Sequence, residues 1–270
     1  MYNIEDIKNK VHCADCLEFM KDMPVGSIDL VITSPPYDDL RDYEGYKFNF
    51  KNIASQLFRV IKDGGVIVWV VGDSVVNNSE TGTSFQQSLY FKEIGFNLWD
   101  TMIYMKNGSQ YPDQKRYYQC FEYMFIFSKG IPKTINLIKD RKNNWSGSWG
   151  KRSSRNKDGT LSQRKGKVLY QEYGIRYNVW KINCGYGFST KDKIAYEHPA
   201  IFPDKLAEGH ILSWSNKNDL ILDPLCGSGT VCKMSKRYNR NYIGIDISKE
   251  YCKIAEQRIK AQQEPFDFNT

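Results

Sequence analysis

No run of the chain approaches the roughly 18 uncharged apolar residues that a membrane span needs. The opening "MYNIEDIKNK" also lacks the apolar core of a signal peptide. Histidine is scarce, with three in 270 residues. The seven cysteines are odd in number and scattered, without the spacing of a metal site or a disulfide framework. Reduced thiols, a cytoplasmic location and no bound metal are therefore expected. No internal repeat occurs. Acidic residues are nearly missing from one segment: residues 129–193 hold 16 Lys/Arg against four Asp/Glu. That is a net +12 in a chain of formal charge +7, which leaves the remainder at −5. One segment thus supplies the whole basic excess, the footprint of a polyanion-binding insert. It also carries Asn143, Asn144, Trp145, Trp149 and Arg155, side chains able to stack on bases or hydrogen-bond to them.

The composition is otherwise ordinary for a globular protein, with 41% apolar and 26% charged residues. Strand-like runs occur at "VHCAD" (11–15), "DLVIT" (29–33), "GVIVWVV" (65–71), "WDTMIYM" (99–105), "EYMFIFS" (122–128), "DLILD" (219–223) and "YIGID" (242–246). Several are continuous rather than alternating, as in strands buried on both faces of a parallel sheet. Helical patterns lie between them at 48–61, 83–94, 204–215, 230–238 and 249–263. This alternation predicts an α/β fold with a doubly wound, mostly parallel sheet. The stretch from 130 to 195 breaks the rhythm. It reads as an irregular insertion with a short hairpin around "VLYQEYGIRYNVWKI", and the tail "EPFDFNT" reads as frayed.

Two turns carry the chemistry. In "LILDPLCGSGTV" a buried strand ends at Asp223, Gly227 and Gly229 permit a tight turn with close backbone approach, and Thr230 starts a helix. The turn lacks the Gly-Lys-Ser/Thr ending of a phosphate loop and the G-x-G-x-x-G spacing of a dinucleotide site. Asp223 would repel phosphate and accept a cation. The next strand, "YIGID", ends in Asp246, placed to accept from ribose hydroxyls. A nucleoside-bearing, cationic, unphosphorylated cofactor is expected, and S-adenosylmethionine fits. The other turn is "DLVITSPPY", where Pro35 and Pro36 end a strand without a backbone donor.

With these stretches in their order, the chain resembles the β-class amino-methylating DNA methyltransferases. The resemblance rests on "HCADCLEFMKDMPVGSIDLVITSPPY", "FRVIKDGGVIVWVVGDS", "FEYMFIFSKG", "HPAIFPDKLAEGHI" and "DPLCGSGTV", and spans nearly the whole chain outside 130–195. It implies a circularly permuted Rossmann-like methyltransferase sheet. Residues 1–129 would form its catalytic half, 130–195 a target-recognition insert on double-stranded DNA, and 196–270 its cofactor half. It further implies that the Ser34 hydroxyl and the Pro35 carbonyl accept the protons of an exocyclic amino group. Pro36 would complete that turn, and Tyr37 would stack on a base flipped out of the duplex. Asp15 would lie near the cofactor adenine, and Ile201 and Phe202 would wall its methionine end. Leu225 stands where the family commonly has Phe, trading ring stacking for simple apolar contact. No Pro-Cys motif of the cytosine-C5 type occurs. Members with Ser in the first motif position are more often cytosine-N4 enzymes, which favours cytosine N4 over adenine N6. An RNA or protein amino-methyltransferase is the more distant alternative. A homodimer and a cognate restriction endonuclease are compatible with this reading.

Overall fold

A computed structural model describes residues 1–36, 48–108, 115–149, 152–164 and 168–262. Tyr37 and the tail "EPFDFNT" lie outside the described residues. The chain divides into two compact units, Met1–Asn136 with Asn178–Thr270, and Leu137–Tyr177.

The first unit is built on one sheet. In chain order its strands are β1 (Lys10–Cys13), β2 (Ile28–Thr33), β3 (Ile61–Val71), β4 (Asn97–Met105), β5 (Phe121–Ser128), β6 (Val179–Lys181), β7 (Leu220–Asp223) and β8 (Asn241–Asp246). Its α-helices are α1 (Ile4–Ile7), α2 (Cys16–Lys21), α3 (Phe50–Val60), α4 (Thr83–Glu93), α5 (Asp204–Trp214), α6 (Thr230–Arg237) and α7 (Lys249–Ala261). Side by side the strands run β1-β8-β7-β2-β3-β5-β4-β6. All are parallel except β5, which runs against β3 and β4. The first strand of the chain therefore borders the last, with Cys13 opposite Asp246.

The central strands are buried because they are packed from both sides. In β8, Ile243 and Ile245 join a core with Phe19 and Met20 of α2, Ile53 and Leu57 of α3, and Phe91 of α4. Tyr242, one residue out of phase, meets Cys226, Cys232 and Ile259 of the turn, α6 and α7. A period of two thus sends neighbouring residues to different helical layers. Helix α3 shows why its segment is helical. Asn49 caps it by accepting from the Asn52 N–H (3.4 Å), and Ile53, Ala54, Leu57 and Val60 form its buried stripe.

The second unit differs from the irregular insert that the sequence suggested. Arg141–Lys142 pairs with Tyr173–Gly174, Gly147–Trp149 with Val168–Tyr170, and Arg152–Arg155 with Leu161–Arg164, all antiparallel. Among the described residues these three two-stranded pairs nest one inside the next, making a ribbon in three segments. The expected hairpin within "VLYQEYGIRYNVWKI" is absent, because its two halves find different partners. Residues 168–174 pair back to 141–149, whereas Val179–Lys181 joins the main sheet beside β4. Burial drives that second choice: Trp180 is 5% exposed, and its ring stacks on His210 of α5 at 4.6 Å. A Cβ at Gly209 would sit 2.5 Å from the Trp180 ring, so that helix position must be glycine.

Candidate active site

Every strand of the main sheet except β5 ends at the same edge. From β2 the chain winds toward β3, and from β7 it winds to β8 on the other side. The β2–β7 pair is therefore the point where the winding reverses, the usual ligand crevice of an open α/β sheet. Ile221 lies opposite Leu30 and Leu222 opposite Val31, which sets "TSPP" and "DPLCGSG" next to each other. Pro35 is buried, and Ser34 and Pro36 are half-buried. Across this edge the strand order gives the sequence Asp15, Asp246, Asp223, Ser34. Four residues, two from each end of the chain, thus lie at the ends of four adjacent strands.

Asp223 is 5% exposed, and its Oδ1 accepts from the Leu225 N–H at 3.2 Å. Burial pushes its carboxyl up to about 7, opposed by the Thr33 side chain and the Leu225 N–H and reinforced by the nearby Asp246. Burial also raises the Asp246 carboxyl, against the Ser248 and Gly227 N–H groups that favour its charge. Asp246 Oδ2 accepts from Gly227 (2.8 Å) and Oδ1 from Ser248 (2.9 Å), so one carboxylate ties the Gly-rich turn to the start of α7. Gly227 and Gly229 have φ of +48° and +76°. A Cβ at Gly229 would stand 2.5 Å from Ala255 Cβ, and one at Gly227 would stand 2.8 Å from His198 Nε2. Left-handed backbone and lack of room both demand glycine.

Asp15 follows β1, and its neighbour Ala14 donates to the Asp246 carbonyl (2.9 Å). Its own Oδ1 caps α2 by accepting from the Glu18 N–H at 3.0 Å. Leu225 is half-buried and packs on the core. Ile201 and Phe202 are half-buried just before Pro203, the N-cap of α5. Their segment is anchored at the Gly-rich turn through His198, which lies over Gly227, meets the Tyr251 ring at 4.3 Å and accepts from the Ala200 N–H at Nδ1 (3.1 Å).

The structure adds a group that the sequence reading passed over. Arg258 of α7 is wholly buried. Its Nη1 donates to the Ser228 carbonyl (2.6 Å), Ser228 Oγ (2.9 Å) and Thr230 Oγ1 (3.0 Å). Its Nε reaches Asp192 at 3.0 Å and its Nη2 reaches Asp204 at 3.4 Å. Lys233 of α6, buried beside it, bridges the same two carboxylates at 2.8 and 2.7 Å. Two cations and two anions thereby bind the Gly-rich turn from behind to the 190–204 segment, and the Thr230 hydroxyl is part of that cluster. Both cations occupy buried positions on their helices, among Cys252, Ala255 and Ile259 in α7 and Val231, Cys232 and Met234 in α6. Charge in an otherwise apolar stripe was the signal that could have found them.

A family model described as DNA methylase, of the N6/N4 type, matches residues 28–257. The orphan methyltransferase M.BamHII of Bacillus amyloliquefaciens is 59% identical over 238 residues, covering 87% of this chain and 89% of its own. Among solved structures, the cytosine-N4-specific PvuII DNA methyltransferase is similar with a TM-score of 0.67 at 20% identity, over 92% of this chain and 85% of that one. The M1.HpyAVI–SAM complex is similar with a TM-score of 0.61 at 23% identity, over 92% and 98%. These two share the α/β fold with its large, mostly parallel sheet.

Proposed function

Because the chain belongs to the N6/N4 family of DNA methylases, we propose that it transfers a methyl group from S-adenosylmethionine to the exocyclic N4 amino group of a cytosine flipped out of DNA. The observation that carries this reading is the order Asp15, Asp246, Asp223, Ser34 along one edge of the sheet. It supports a nucleoside-and-cation site beside an amino-group clamp.

The residues present suit the cofactor. Two buried carboxylates raised by desolvation are stabilised when a positive charge arrives. The left-handed glycines leave bare backbone where side chains would fill the space. Asp246 would take the ribose hydroxyls, Asp15 the adenine amine and Asp223 the cationic methionine end, with Leu225, Ile201 and Phe202 as apolar walls. Gly227, Gly229 and Thr230 shape the turn beneath. S-adenosylmethionine supplies the electrophilic methyl.

The chain's own task is the nucleophile. The lone pair of an aromatic amine is delocalised into its ring, so the nitrogen must be drawn toward tetrahedral geometry and held in line. The Ser34 hydroxyl and the Pro35 carbonyl accept its two protons, and Tyr37 offers a stacking face. Ser34, where adenine enzymes of this class typically carry Asp, supports cytosine. In this reading residues 1–129 supply the catalytic half, 196–270 the cofactor half, and the basic segment between them the grip on double-stranded DNA.

Digesting treated DNA to nucleosides and weighing them by mass spectrometry tests the assignment, with N4-methylcytosine expected. N6-methyladenine would overturn the base and keep the family chemistry. No methylated nucleoside at all would overturn the function.

A further inference from the structure

The ribbon of the second unit has two differently furnished ends. At its base the two arginines, Arg141 and Arg176, are engaged within the unit, while Lys139 and Lys142 are exposed. Arg176 is ion-paired with Asp140 and holds that carboxyl below its ordinary value. Arg141 lies 4.7 Å over the Tyr177 ring. At the far end the chain turns through Asn156–Thr160, where the polar groups bond one another. The Asn156 N–H donates to the Thr160 carbonyl (2.8 Å), and the Gly159 N–H donates to the Asn156 carbonyl (3.0 Å) with Gly159 at φ +85°. The Thr160 N–H and hydroxyl both reach Asp158 Oδ1 (3.0 and 2.7 Å). The Asn156 amide joins Thr160 Oγ1 and Ser162 Oγ, each at 3.0 Å.

This leaves a stiff tip with three side chains to spare. Arg155 and Lys157 are exposed, and among the described residues neither has an ion-pair partner. Leu161, 67% exposed, stands directly opposite Arg155 on the ribbon. The 41 residues of the unit contain 11 Lys/Arg against three Asp/Glu. A two-stranded ribbon is one of the few elements that fit the major groove of B-form DNA, about 12 Å wide. The deep, narrow major groove of an RNA helix excludes it.

We propose that this ribbon lies in the DNA major groove with Arg155 as a specificity-determining residue that reads a guanine. The proposal rests on the reading of the chain as a DNA methyltransferase. The planar guanidinium matches guanine O6 and N7 together, whereas Lys157 is a point charge suited to a phosphate. Leu161 lies beside Arg155 to meet an apolar base edge. The internally bonded turn fixes the backbone between these groups before DNA arrives, so little backbone ordering entropy is lost on binding.

The experiment methylates plasmid DNA with the wild-type protein, Arg155→Ala, Arg155→Lys and Lys157→Ala, and maps the methylated positions by single-molecule sequencing. The wild type is expected to yield one recognition sequence containing a guanine. Arg155→Ala should lose roughly 5- to 150-fold at that sequence, with its residual methylation degenerate at one G·C pair. Arg155→Lys should not restore the preference. Lys157→Ala should lower methylation at every site and leave the sequence unchanged. Plasmid made with 7-deazaguanine, which lacks N7, should slow the wild type and leave Arg155→Ala unaffected. Arg155→Ala with wild-type rate, or with reduced rate and unchanged sequence, would overturn the proposal. So would displacement of the protein by duplex RNA as readily as by DNA. If the wild type methylates no DNA, the functional reading fails; if it methylates and the Arg155 variants do not differ from it in sequence preference, this inference alone fails.

Discussion

The carboxyl edge of the sheet and the ribbon of Leu137–Tyr177 handle charge in opposite ways. At the edge, the cations are buried and fully engaged: Lys233 and Arg258, 5% and 0% exposed, share Asp192 and Asp204. In the ribbon, the cations at the tip are exposed, and Arg155 and Lys157 are without ion-pair partners among the described residues. Under the proposed function, the edge would hold one geometry for a small cofactor and the ribbon would present charge to a large polyanion that brings its own counterions. Stability would then be concentrated where the chemistry is, and long-range attraction where the substrate first arrives.

Excising the ribbon would break this comparison most completely. The Arg176 N–H donates to the Ile138 carbonyl at 2.9 Å, so residues 139–175 can be replaced by a short Gly-Ser linker. Sequence-specific DNA affinity should fall by roughly 10³-fold or more. Cofactor binding by calorimetry should persist, and the steep salt dependence of wild-type DNA binding should vanish. Normal DNA binding by the excised protein would mean that recognition lies elsewhere.

The opposite disruption is Arg258→Met. Removing Arg258 leaves Asp192 and Asp204 to Lys233 alone and strips Ser228 and Thr230 of their charged donor, which should destabilise the fold by about 1.5–3 kcal/mol in urea denaturation. An unchanged denaturation midpoint would show that the cluster contributes nothing to the edge.

Asp246→Ala should weaken S-adenosylmethionine binding by roughly ten- to a hundredfold while DNA binding by the ribbon persists. Asp223 adds a pH signature. Its carboxyl is raised to about 7, so between the unfolded value of about 4 and that pH the free native protein holds a proton that the unfolded chain has lost. This group's contribution to stability therefore falls as pH rises through that window. A cationic ligand favours the ionised form, so cofactor affinity should drop as pH falls below about 7. Asp223→Asn should flatten that dependence in calorimetry, and an equally steep profile in the variant would assign the proton elsewhere.

Ser34→Ala is the mildest test. It removes one of two acceptors and should lower single-turnover methylation by roughly 2- to 10-fold with unchanged melting temperature. A lowered melting temperature at wild-type rate would make the turn purely structural.

The identity of the elements was written in local pattern. Continuous Val/Ile runs such as "DLVIT" and "GVIVWVV" became the central strands β2 and β3, and the 3.6-residue stripe of "FKNIASQLFRV" became α3, because burial on one or both faces leaves a short-range period. The acids at strand tips and the Gly-rich turn were legible for the same reason, since a strand's end is a local feature. The basic excess between residues 129 and 193 needed only counting. What pairs with what had to come from the tertiary structure. That β1 borders β8, bringing Cys13 opposite Asp246, depends on contacts more than 200 residues apart in the chain and leaves no periodic trace. Val179–Lys181 looked like half of a hairpin until Trp180 found Gly209 and His210 of α5. Arg258 and Lys233 interrupt the apolar stripes of α7 and α6, and nothing local names their partners. Only the fold brought Asp192 and Asp204 to them, because a buried cation is tolerable just where counter-charges reach it.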